Sequence, residues 1–195
     1  GKSEGGNIWL DAKRTSPYKF YQYWINTSDE DAEIYIKIFT FLDKETIDAL
    51  ILEHKEAPHM RLLQKRLADE VTLTVHNEEA LENAIKASNI LFGKSTSEDL
   101  KNLDTSTFLD VFDGVPKVNL TLDYLKNKPT VYEFLSEAGF LSSKSEINRA
   151  IKENAISINK EKIDSNFVLS EKNLVCGKYI LAQRGKKNYF LISIS

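Results

Sequence analysis

Hydrophobic spacing changes partway along this chain, and that change decides what it can fold into. Up to about residue 92 the apolar side chains recur at helical intervals, whereas after residue 155 they alternate, as in a strand with one covered face. A single bundle or a single sandwich would keep one period throughout. The expected fold is therefore a mainly α-helical domain followed by a small α+β module. With 195 residues, 42% of them apolar, the chain can bury one large or two small cores, which excludes a disordered or fibrous chain. No run of about 18 residues is free of charged or strongly polar side chains, so no membrane span is expected.

The helical part begins at Ser16-Pro17, an N-cap followed by proline at the first helical position, with Phe20, Tyr21, Trp24 and Ile25 on one face. The next stretch supports two periods. Ile34, Ile36 and Ile38 alternate as in a strand, while Ile34, Ile38 and Leu42 fit a helix; the acidic start Asp29-Glu30-Asp31 suits a helix N-terminus and favours the second. Asp43 is placed to cap a segment running from Thr46 to Glu56. Pro58 separates it from a longer helix carrying Met60, Leu63, Leu67, Val71 and Val75. Asn77 caps a fifth helix with Leu81, Ile85, Leu91 and Phe92, closed by Gly93 at the position after its end.

Between residues 94 and 129 the pattern weakens to a short apolar set, Phe108, Leu109 and Phe112, with turn signals at Asp113-Gly114 and Pro116, which reads as a connecting region. Thr130-x-x-Glu133 then forms a capping box that opens a helix ended by Gly139. Ser143-x-x-Glu146 forms a second. The second helix should bury Ile147, Ala150 and Ile151 and display Lys144, Asn148, Arg149 and Lys152. Strands are expected at Ile156 to Ile158, with Asn159-Lys160 as a turn, and at 178–184 and 189–194, joined by Gly185-Lys186-Lys187-Asn188.

Charge follows the same division. The net charge of −3 conceals a segment from 142 to 195 with 10 basic and 5 acidic residues, net +5, attached to a remainder of net −8. A basic module of this kind can meet a polyanion, and a solvated lysine-rich surface is the plain alternative. Nucleophile and metal chemistry find little support. His54, His59 and His76 have no i, i+4 partner, and Cys176 sits in an apolar context where a small buried side chain is the ordinary reading. No metal ligand set and no catalytic base is assigned. Gly93-Lys94-Ser95 fails as a phosphate loop because Ser88 stands where the first glycine belongs. For Gly1-Lys2-Ser3 the upstream glycine and strand lie outside the chain. The single cysteine suits a reducing, cytoplasmic interior, and the start, lacking Met and an apolar signal core, suits a chain that begins within a longer protein.

Several stretches resemble the bacterial tyrosyl-tRNA synthetase family. Residues Gly1 to Asp11 are similar to the end of its class I signature loop, and Thr15 to Trp24 to the helix that follows. His59-Met60-Arg61, Gln64, Leu67-Ala68, Glu70-Val71-Thr72 and Val75-His76 resemble its helical anticodon-binding domain. Ser143 to Glu146 with Arg149, Ile151-Lys152, Ile158-Asn159 and Gly185 to Tyr189 resemble an RNA-binding module of the ribosomal-protein-S-four type. The chain departs from the family at Asn148, usually arginine, near Asn154, usually glycine, and at Asn159-Lys160, usually Asn-Gly.

The resemblance implies a class I ligase whose complete chain attaches tyrosine to tRNA(Tyr) with ATP and magnesium, in the cytoplasm and as a homodimer, with neither DNA nor a membrane as partner. Residues 1–15 would end the signature loop, 16–93 form the anticodon-binding domain, 94–129 a linker and 130–195 the RNA-binding module. Lys2 matches the loop lysine that steadies ATP phosphate charge. With the nucleotide-binding domain absent, no catalytic residue is expected here and the isolated chain should be inactive, retaining tRNA binding. Lys144, Arg149, Lys152, Arg184, Lys186 and Lys187 are the expected phosphate contacts, and Asp29 and Asp31 possible anticodon contacts, although helix capping explains both aspartates equally well. About four neutralised phosphates would give a log–log salt slope near −3. The alternative function is a non-enzymatic adaptor, its helical body binding protein and its basic module binding RNA.

Overall fold

A computed structural model describes residues 7–91, 96–185 and 188–195. The chain divides into two compact units, Gly1–Ser88 and Asn89–Ser195, each with its own core. Among the described residues no helix is long and apolar enough to cross a membrane.

The first unit is built from α1 (Pro17–Ile25), α2 (Asp29–Phe39), α3 (Lys44–Glu56), α4 (Leu62–Val75) and most of α5 (Glu78–Leu91). Caps set the helix starts. Ser16, Ser28 and Asp43 accept from the backbone N–H three residues on, and Asn77 does the same for Ala80. Helix α4 lies at the centre, packed against α1, α2 and α3, and buries Leu63, Leu67 and Ala68 completely. Its start is held by Arg61 in the left-handed region (φ 52), whose guanidinium donates to Ile25 O and Thr27 O just past the end of α1. Two faces differ from the sequence expectation. In α2 the core takes Ala32 and Ile36, while Ile34 and Ile38 are 52% and 63% exposed. In α5 the core takes the small residue Ala84, and Ala87 and Ile90 are also buried, while Ile85 is exposed; Met60 lies outside α4, in a single turn of 3-10 helix, and is also exposed.

The second unit holds the short helices α6 (Ser97–Lys101), α7 (Thr105–Val111) and α8 (Leu122–Lys126), then α9 (Val131–Glu137) and α10 (Lys144–Lys152). They accompany a five-stranded sheet of β1 (Lys117–Leu120), β2 (Ile156–Ile158), β3 (Glu161–Lys162), β4 (Tyr179–Arg184) and β5 (Asn188–Ile194), in the order β1-β5-β4-β2-β3. All pairings are antiparallel except β1 with β5. Residues 94–129, expected as a linker, thus carry three helices and an edge strand. Their apolar set is anchored: Phe108 stacks on Tyr179 of β4 at 5.3 Å, and Phe112 lies 5.6 Å from Tyr189 of β5. The core joins Val131, Phe134 and Leu135 of α9 and Ile147, Ala150 and Ile151 of α10 to Ile156, Ile180 and Ile192 of the sheet.

Both α9 and α10 end on the same motif. After α9, Gly139 (φ 66) donates to Ser136 O and Phe140 to Leu135 O. After α10, Asn154 (φ 51) donates to Ile151 O and Ala155 to Ala150 O. Asparagine tolerates the left-handed conformation there, so the glycine of the family is not required at 154. The turn at Asn159-Lys160 joins β2 to β3 with positive φ at both residues (48 and 71), as a tight two-residue hairpin demands.

Candidate nucleic-acid interface

Helix α10 displays its cations because its apolar residues leave them no other side. Ile147, Ala150 and Ile151 are buried, and Lys144, Asn148, Arg149 and Lys152 are exposed; at about 100° per residue these four share an arc of about 140°. Ser143 caps the helix by accepting from Glu146 N–H at 3.2 Å. The reciprocal half of the expected box is replaced, because the Glu146 carboxylate accepts from Ser142 Oγ at 2.6 Å and from the guanidinium of Arg184. These bonds, the serine hydroxyl first and Arg184 next, hold the Glu146 carboxyl below its ordinary value. The box at Thr130 and Glu133 is complete.

Arg184, at the end of β4 opposite Asn188, is therefore already paired. A guanidinium that shares its charge with a carboxylate in a half-buried pair attracts phosphate less than a free one. Among the described residues, Lys144, Arg149 and Lys152 carry no such partner. Lys186, Lys187 and Lys2 lie outside the described residues, as do Gly93 and the rest of the turn it was expected to close.

The two aspartates separate. Asp29 Oδ1 accepts from Gln64 Nε2 at 2.5 Å and His54 Nε2 at 2.9 Å, and these bonds, the amide first, lower its pKa. Its side chain is about half exposed, and these two bonds tie the start of α2 to α3 and α4. His54, its partner, is 2% exposed. Asp31 lines a cleft of about 500 Å³ between α1 and α2, together with Tyr23, Tyr35, Asn26 and Lys19. That lining of aromatic rings, amide and carboxylate could receive a planar polar group. Cys176 is half-buried in the turn before β4 (φ 51), its thiol pKa raised by burial.

One basic residue escaped the sequence reading. Lys160 does not face solvent; its ammonium donates to Ile90 O at 2.5 Å and to Tyr189 Oη at 2.7 Å, joining the hairpin turn to the last turn of α5 and to β5. Only its place in a turn that asks for glycine marked it as unusual.

Comparison with known proteins places these elements. Residues 1–93 match the family described as tRNA synthetases class I (W and Y), and residues 107–192 match the tyrosine–tRNA ligase SYY-like C-terminal domain. A tyrosine–tRNA ligase of Flavobacterium johnsoniae is 58% identical over all of this chain, and one of Bacteroides thetaiotaomicron is 53% identical over 98% of it. The chain spans 45% of the length of each. A C-terminally truncated mitochondrial tyrosyl-tRNA synthetase of Aspergillus nidulans, 33% identical, overlaps 44% of this chain and 25% of its own with a TM-score of 0.42, too slight an overlap to bear on the fold.

Proposed function

Since this chain belongs to the class I tRNA synthetases of the tyrosine type, we propose that it is the tRNA-binding portion of a tyrosine–tRNA ligase, the enzyme that joins tyrosine to tRNA(Tyr) at the expense of ATP. The supporting observation is the cationic arc of α10, three charges with no ion-pair partner among the described residues, on a helix capped at both ends within the part that matches the family's C-terminal domain. In this reading the second unit is an RNA-binding module of the ribosomal-protein-S-four type. Lys144, Arg149 and Lys152 take phosphates, Arg184 assists, and Lys186 and Lys187, which lie between β4 and β5 in the sequence, take further phosphates. The cleft beside Asp31 receives an unpaired anticodon base between tyrosine rings, with Asp31 as acceptor. Asp29 supports it by fixing the start of α2.

The complete enzyme works as a cytoplasmic homodimer using ATP and magnesium, and Lys2 steadies the phosphates during adenylate formation. The chain by itself performs neither step, and tyrosine-dependent pyrophosphate exchange by the purified 195-residue chain would count against this. The adaptor alternative is not favoured, since the similar proteins are ligases along the whole chain. A mobility-shift titration tests the proposal: tRNA(Tyr) should bind more tightly than an unrelated tRNA. The three α10 cations alone should contribute about −2 to the log–log salt slope, using roughly −0.7 per phosphate. Equal binding of both tRNAs, or binding indifferent to salt, would remove it.

A further inference from the structure

A second cleft, within the C-terminal unit, opens between α8 and α9. It encloses about 450 Å³ and is lined by Tyr124, Tyr132, Glu133, Ser136, Glu137 and Lys144 among others. Three features mark it as a receptor for a flat group. Its tyrosines supply aromatic surface, and the Tyr124 ring is itself fixed by stacking on Phe134, 6.4 Å between centroids and 23° between planes. Its Ser136 Oγ, buried beneath the lining, has no hydrogen-bond partner among the described residues. Its two carboxylates do different work. Glu133 is occupied by its capping bonds to Thr130, which lower its pKa, whereas Glu137, exposed at the end of α9, has no such bond among the described residues. Burial first, then the charges of Glu137 and Glu133, raise the Tyr124 pKa, so its hydroxyl remains a donor.

An ionised carboxylate only accepts. Among the four bases, guanine alone has two adjacent donors on its pairing edge, the ring N1–H and the exocyclic amine, which suit the two oxygens of one carboxylate. Lys144 lines this cleft and also begins the cationic arc of α10, so a phosphate held there keeps its own base within reach. We propose that the cleft takes the base of a single unpaired guanosine of the bound RNA, with Glu137 on its pairing edge, the tyrosines as walls and Lys144 on the phosphate. The assignment rests on the tRNA-binding reading and adds a base-reading site to it.

The test is a nuclear magnetic resonance titration of the 195-residue chain with guanosine, inosine and adenosine monophosphates and with arginine methyl ester. Guanosine monophosphate should shift the amides of residues 124–137 saturably. The inosine compound, lacking the amine, should bind about tenfold more weakly, and Glu137→Gln should weaken the guanosine compound by about the same factor. Equal response to the adenosine compound, silence toward guanosine, or saturation by the arginine ester in its place would overturn the proposal, the last outcome marking a site for basic peptides. Mobility shifts with tRNA keep the two readings apart. If the unaltered chain captures tRNA and Glu137→Gln captures it equally well while guanosine is silent, only the cleft assignment falls. If the unaltered chain fails to capture tRNA, the function falls and the nucleotide titration still decides the cleft.

Discussion

Lys160 occupies a backbone position that glycine would take without strain, at φ 71 in the β2–β3 turn. The turn was legible from Asn159-Lys160, but the reason for a lysine was not, because its partners Ile90 and Tyr189 stand 70 and 29 residues away. Its ammonium satisfies a carbonyl in the last turn of α5 and lies 4.7 Å from the Tyr189 ring centroid. Replacing it by methionine keeps the stem and removes both bonds, so Lys160→Met should lower stability by about 1–3 kcal/mol at neutral pH in a urea titration. Burial holds the Lys160 pKa below 10.5. Between that lowered value and 10.5 the unfolded chain binds more protons than the folded one. The residue's contribution therefore falls as pH drops through the folded value and is complete above 10.5. The stability gap between the parent and Lys160→Met should widen as pH approaches 10.5, and a narrowing gap would contradict a buried ammonium.

At the level of elements, helix starts and ends were the most readable features, because a cap is a local contract between residues three or four apart. Faces were less so. In α2 two stripes competed, Ile34 with Ile38, and Ala32 with Tyr35, Ile36 and Phe39. The second won because Tyr35 and Phe39 close around Trp24 of α1, at 5.9 and 5.3 Å, and that aromatic cluster turns Ile36 inward. In α5 the buried face holds the small residues Ala84 and Ala87 rather than Ile85. Ile36→Ala should cost about 2–5 kcal/mol, and Ile38→Ala should stay within about 0.5 kcal/mol; comparable losses in thermal unfolding would refute the assignment of faces. Strand β1 escaped notice for a different reason. Four residues with Val118 and Leu120 on one side carry too little alternation to register, and the pairing that makes them a strand is with β5, more than 70 positions later.

Across the whole molecule, the division into an acidic and a basic part was visible in composition, and so was the cationic arc of α10. The pairing of Arg184 with Glu146 was not, since it joins residues 38 positions apart on a helix and a strand. That pair has a measurable effect on polyanion binding. Glu146→Gln keeps the neighbouring Ser142 contact within reach of its amide oxygen and releases Arg184, so the salt slope for tRNA should steepen by about 0.7. An unchanged slope would mean that Arg184 contributes nothing even when freed. The sheet carries a further consequence. Because β1 guards the outer flank of β5 while lying upstream of the two helices that define the basic module, a polypeptide trimmed to start at Thr130 would keep every expected RNA contact of that module yet lose its border strand. The bared N–H and C=O groups of residues 191–194 would then offer themselves to a neighbouring copy, and what looks like a minimal domain would gather into multimers as its concentration rises.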